Sequence, residues 1–211
     1  MIISTLALGT SAILAYLIGS FPTSYILAKA MKGIDIREVG SQNAGATNVL
    51  RSVGKLPAAI TLVVDILKGV FAVTVVARLF YSFGIDLVFE FYQGLIGLIV
   101  VCGHIWSVFL RFKGGKGVAT TLGVGLGITP LALLPTVLIW VVVFSVSSYV
   151  SLASIISLML FPFVACLANY SFYTVLFAVT ICSLSIYKHK ENIKRLLKGQ
   201  ESKTRIFKRP K

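Results

Sequence analysis

The chain has 211 residues, 57% of them hydrophobic and only 13% charged. Its mean hydropathy is +0.92. Globular domains carry about 25% charged residues, so this composition excludes an ordinary soluble domain and points to an all-α polytopic membrane protein. The net charge of +13 sits in short segments between apolar runs, without interleaved aromatic residues, which argues against nucleic acid as a partner.

Residues 2–28 form the first apolar run. No basic segment precedes it and no small-residue cleavage site stands out, so a retained helix is expected rather than a signal peptide. Residues 29–55 are basic and contain GSQNAGATNVLRSVGK, a polar stretch with no acid between Glu38 and Asp65. Hydroxyls, amides and the Arg51 guanidinium suit an anion, and Gly40 and Gly45 permit tight turns. A solvated loop is the plainer reading, but such a loop would ordinarily carry acids.

The run 56–80 holds DILKG, with Asp65 and Lys68 three apart. Charges inside a membrane helix pair or line a cavity, and this spacing puts both on one face. The connection YSFGIDLVFE carries Asp86 and Glu90 but no Lys or Arg. The next run, 91–110, ends near His104, which reads first as a helix–helix contact. It leads into GHIWSVFLRFKGGKGVATT. That segment fails the nucleotide-binding P-loop pattern, because Gly117 follows Lys116 where Ser or Thr is required. It still offers Gly114, Gly115 and Gly117 at an expected helix start, with Lys113 and Lys116 adding charge.

From 117 to 187 the chain is almost uncharged. Pro130 and Pro135 are expected to break it, and Tyr149 with its neighbouring serines marks a further turn. The expected helices cover 117–128, 131–147, 150–168 and 170–187. Ser151 and Ser154 share a helix face. The tail from Lys188 starts as a basic amphipathic helix, with Gly199 as its expected C-cap. His189 and Asn192 stand where the last apolar run ends. Cys102, Cys166 and Cys182 lie in apolar runs without metal or disulfide spacing.

Lys and Arg concentrate on the cytoplasmic side of membrane proteins. Placing 29–55, 111–116 and 188–211 there gives a seven-helix transmembrane bundle, N-terminus outside and C-terminus cytoplasmic; five spans is the alternative. The whole chain reads as one integral-membrane domain.

SQNAGATNVLRSVGK, DILKG, GHIWSVFLRFKGGKGVAT and HKENIKRLLKGQESK together resemble, in content and order, the signature segments of the bacterial membrane glycerol-3-phosphate acyltransferases, the PlsY family. The chain departs from the family's usual pattern at Gln42, where Gly is common, and at Ser107, where Pro is common. The resemblance implies transfer of a fatty acyl group from acyl-phosphate to the 1-hydroxyl of sn-glycerol 3-phosphate. The products are lysophosphatidate and phosphate, made at the cytoplasmic face of the bacterial inner membrane. It implies no metal, no cofactor and no obligate protein partner beyond the two substrates and membrane lipid.

On that basis Lys116, Ser154, His189 and Asn192 form the expected catalytic set. Ser41, Asn43, Thr47, Asn48, Arg51, His104, Lys113, Gly114, Gly115 and Gly117 form the expected substrate-binding set. The proton of the attacking hydroxyl has two acceptors open to it, His189 or a substrate phosphate oxygen. A transporter of a phosphorylated metabolite is the rival reading, weakened by polar clusters gathered at one membrane face instead of the midplane.

Overall fold

The computed structural model describes residues 2–204, so residues 205–211 of the third basic segment lie outside the described residues. The described residues form eleven α-helices and no strand. They are α1 (Ile2–Ser20), α2 (Thr23–Lys32), α3 (Ala46–Ser52), α4 (Lys55–Phe71), α5 (Ala77–Tyr81), α6 (Phe89–Ile105), α7 (Val118–Ile128), α8 (Pro130–Ser147), α9 (Val150–Leu167), α10 (Phe172–Tyr187) and α11 (Lys190–Leu197). A π-turn, Ala72–Val76, joins α4 to α5, and a 3-10 turn, Val108–Leu110, follows α6.

Burial is inverted relative to a soluble protein. Ile13, Leu62, Leu138, Val146 and Phe163 face outward, while Ser11, Thr61, Gln93, Asp65 and Lys68 are buried. In lipid there is no hydrophobic gain from helix association, so small residues and internal hydrogen bonds hold the helices together. The α1–α6 and α4–α7 pairs show this. A Cβ on Gly19 or Gly103 would strike the facing backbone of α6 or α1, and one on Gly69 or Gly123 would do the same between α4 and α7. The π-turn has its own partner, since Gln93 Nε2 donates to the Val73 carbonyl at 2.9 Å.

Two expectations about breaks are corrected. The helix expected over 2–28 is interrupted at Phe21 and Pro22, between α1 and α2, although Ile2–Lys32 still makes one candidate span; Pro22 lacks the amide hydrogen a continuing helix needs. Conversely, Pro135 does not break α8. It falls in the second turn, where one missing hydrogen bond is tolerated, and Pro130 at the first position starts the helix. Five segments are long and apolar enough to cross a membrane, or six if the bent pair α10–α11 is one span; α7 is a shorter apolar helix.

The basic segments meet at one end of the bundle. Arg37 Nη1 donates to the Leu110 carbonyl at 3.0 Å, Arg51 Nη2 to the Ser202 carbonyl at 2.9 Å, and Lys116 Nζ to Asn192 Oδ1. The turn between α8 and α9 is there too, because the Thr204 amide donates to the Ser148 carbonyl at 2.8 Å.

Candidate active site

The polar loop after α2 is built around Asn48. This side chain is 1% exposed. Its Nδ2 donates to the carbonyls of Ile36 at 2.8 Å, Val39 at 3.0 Å and Asn43 at 3.2 Å, and its Oδ1 accepts from the Ser41 amide at 3.0 Å. Ile36, Ala44 and Val49 pack beneath as a small apolar core with Ala28, Ala58 and Leu110. Asn48 shapes the loop: both ends of its amide are engaged there. Asn48→Ala would leave buried carbonyls unpaired, at about 1–3 kcal/mol each. We expect a melting temperature lower by several degrees in detergent, measured by scanning fluorimetry. Around this centre the loop sets out Ser41, Asn43, Thr47 and Arg51, none of them fully buried.

The glycine segment behaves differently from its expected role. The amides of Gly114 and Gly115 donate to the carbonyls of Ile105 and His104, each at 3.1 Å, so they are engaged by the end of α6 and do not face a substrate. Glycine is required there for space: a Cβ on Gly114 would strike the His104 carbonyl, and one on Gly115 would strike His104 Nε2 and the Ala44 carbonyl. Gly117 adopts a left-handed φ of 83° and caps α7. Lys113 is exposed at the rim, whereas Lys116 turns inward.

Behind Asn192, the partner of Lys116, lies a side chain that sequence reasoning left unassigned. Glu201 is 8% exposed. Its Oε1 accepts from Ser151 Oγ at 2.7 Å and from Asn192 Nδ2 at 2.6 Å, while Oε2 accepts from Arg195 Nε at 2.7 Å. Burial opposes ionisation of Glu201, but the bonds from Ser151, Arg195 and Asn192 outweigh it and hold the carboxyl below its usual range. Asn192, held by Glu201, presents its oxygen to Lys116. The Schellman-type turn at Gly199, φ 65°, reverses the chain after α11 and makes this possible. The sequence signals were an acid just past that glycine in a basic tail, and its place in the segment HKENIKRLLKGQESK.

Ser154 does not share in the Glu201 cluster. Its hydroxyl donates to the Val150 carbonyl at 2.8 Å and accepts from Trp140 Nε1 at 3.1 Å. Ser151, one turn earlier, is the serine that joins the cluster. Ser154→Ala is expected to keep turnover within about threefold, whereas Ser151→Ala, which removes a bond to a charged acceptor worth about 1.5–3 kcal/mol, lowers it at least tenfold in a phosphate-release assay.

The electrostatics are cationic. Burial lowers the Lys116 ammonium to about 8; Glu201 opposes that fall, while Arg195, Arg51 and Lys188 add to it. These groups therefore share one electrostatic neighbourhood. His189 is 2% exposed. Burial, then the charge of Lys116, pushes it down to about 4, so it is neutral at pH 7. Its Nδ1 donates to the Ser185 carbonyl at 2.8 Å, which leaves Nε2 as an acceptor. His104 stands apart, with Nδ1 toward Lys68 Nζ at 2.8 Å instead of in the Lys116 cluster. An Arg, a Lys, an Asn and a neutral His gathered at one end of a bundle can bind phosphate and stabilise charge developing on oxygen.

The family profile of glycerol-3-phosphate acyltransferase matches residues 10–199. A glycerol-3-phosphate acyltransferase of Endomicrobium trichonymphae is 44% identical over 93% of this chain and 96% of its own length. One from Geotalea daltonii is 44% identical over 92% and 95%. The crystal structure of PlsY, an integral membrane glycerol 3-phosphate acyltransferase, in its glycerol 3-phosphate form is similar with a TM-score of 0.85 and 40% identity, covering 94% of this chain and 96% of that one. Its lysophosphatidic acid form gives 0.82 and 39%. With its sequence matched across nearly its whole length and its fold shared with an integral membrane enzyme, the chain belongs to the glycerol-3-phosphate acyltransferase family.

Proposed function

We propose that the protein moves a fatty acyl group from acyl-phosphate to the 1-hydroxyl of sn-glycerol 3-phosphate, the first step of membrane phospholipid synthesis. The observation that carries this reading is the Lys116–Asn192–Glu201 chain, which ties the glycine loop to α11 beside Arg51 and His189. A soluble phosphate and a phosphate-headed lipid precursor both suit such a cationic end of a bundle. The 1-hydroxyl oxygen attacks the acyl carbonyl carbon, and the carbon–oxygen bond to phosphate breaks. Phosphate leaves with the bonding pair. Lys116 and Arg51 stabilise the phosphate charges, while Ser41 and Thr47 help hold glycerol 3-phosphate.

A neutral His189 whose pKa is about 4 is a weak base, so the hydroxyl proton passes to a phosphate oxygen and His189 Nε2 orients the hydroxyl. General bases contribute about 10²–10⁴ in rate. His189→Gln is therefore expected to raise the KM for glycerol 3-phosphate while lowering kcat less than tenfold; a loss of 10³ in kcat would assign the proton to His189.

Parity supports seven crossings. The contacts Lys116–Asn192 and Thr204–Ser148 put 116, 148 and 188–204 at one end. If α8 crosses once between 116 and 148, α7 crosses back, and α10 does the same for α9. With the basic end cytoplasmic, the N-terminus is outside and the whole chain forms one domain in the bacterial inner membrane. Purified protein in detergent, given acyl-phosphate and glycerol 3-phosphate, is expected to release phosphate and form lysophosphatidate in equal amounts. Neither product from folded protein would overturn the reading; a transporter would need sealed vesicles to show anything.

A further inference from the structure

Asp65, Lys68 and His104 are 3%, 6% and 8% exposed. Lys68 Nζ donates to Asp65 Oδ1 at 2.7 Å and lies 2.8 Å from His104 Nδ1. Charges buried in a membrane helix are expensive, and apolar residues of equal volume often stabilise a fold as well or better than a buried ion pair. A purely structural account therefore leaves the pair unexplained. His104 supplies the rest. Its carbonyl accepts the Gly115 amide, and its ring edge, with the Ala44 carbonyl, fills the space that a side chain on Gly115 would need. Ala44 belongs to the Asn48-centred loop and Gly115 precedes Lys116. The imidazole is thus wedged where the two substrate-binding segments meet.

Packing alone does not fix that ring. A small cleft of about 10 Å³, room for about one water, lies against it, lined by Asp65, Thr23, Ala44 and Gly115 among others. Thr23 Oγ1 is buried there without a hydrogen-bond partner among the described residues. The Lys68 ammonium at 2.8 Å and the Asp65 carboxylate at 3.6 Å both face Nδ1 and hold the ring. We propose that Asp65 and Lys68 are positioning residues for the acyl transfer: they orient His104, whose ring sets the spacing between the Ala44 loop and the Gly115–Lys116 segment. This rests on the acyltransferase reading given above.

The test uses the full chain in detergent, with turnover, calorimetric binding of glycerol 3-phosphate and thermal stability all measured. Asp65→Leu/Lys68→Met removes both charges at similar volume. It is expected to melt within a few degrees of the parent, yet to bind glycerol 3-phosphate at least tenfold more weakly and to lose at least tenfold in kcat/KM. Lys68→Arg, which still donates to both partners, is expected to stay within about threefold. A double variant as stable, as tight and as active as the parent would overturn the inference.

Gly115→Ala supplies an independent arm should the double variant not fold. Its collision with the ring is expected to weaken binding at least tenfold in the parent background and to be partly relieved with His104→Asn, which vacates that space. Fully independent effects of Gly115→Ala and His104→Asn would also overturn the inference. A parent that binds glycerol 3-phosphate without turning over would defeat the acyltransferase reading, while the binding arms still decide the role of the cluster.

Discussion

Lys116→Met is expected to lower kcat/KM by about 10²–10³, the scale of removing one preorganised charge-stabilising donor. The loss comes from the transition state, because the ammonium faces oxygen charge that grows as phosphate departs. The pH profile tests the assignment more sharply. The free protein holds this ammonium at about 8, and the functional form is the charged one. Activity read as kcat/KM should therefore fall as pH rises through about 8. A bound phosphate favours the charged form, so the same limb in kcat should lie at higher pH. Lys116→Arg stays charged throughout, and its kcat/KM should lose that alkaline limb even if the rate is reduced. A limb near 8 that survives in Lys116→Arg would assign it to another group.

Glu201→Ala should cost both stability and activity. It removes the acceptor shared by Ser151, Asn192 and Arg195, so buried donors lose a charged partner, at on the order of 3 kcal/mol. Asn192 is then no longer held against Lys116, and kcat/KM is expected to fall at least a hundredfold. Glu201→Gln keeps the shape and removes the charge. Because Glu201 raises the Lys116 pKa, this variant should move the alkaline limb of kcat/KM below 8, the direction that distinguishes an electrostatic partner from a packing residue. The carboxyl of Glu201 is held below its usual range. Its stabilisation is thus present above the ordinary carboxylate pKa and is lost only as pH falls through the depressed folded value. Unfolding curves of the parent and Glu201→Gln should converge in acid.

The apolar helices were legible because length and hydropathy carry their signal: 117–128 and 150–168 were expected, and Val118–Ile128 and Val150–Leu167 are found. The convergence of the basic segments was legible for a similar reason, since charge follows the membrane face. What was not legible depended on partners remote in the chain. Ser151 and Ser154 share a face, and only the position of Glu201, fifty residues later, selects Ser151. Glu201 stood inside the segment HKENIKRLLKGQESK, yet nothing local marked it out; its role arises from the reversal at Gly199. The glycines before Lys116 were readable as glycines, yet their reason is the close approach of the His104 ring and carbonyl. Asn48 had two roles open to it, shaping the loop or donating to a substrate oxygen, because a polar side chain in a polar loop gives no sign of whether it points inward.

The segment 201–204 ties Arg51, Ser148 and Ser151 to α11, and it follows every apolar helix in chain order. During synthesis the membrane helices emerge first and the tether last. The contacts of Glu201 and Thr204 with Ser151, Asn192 and Ser148 can therefore form only after those helices have been made.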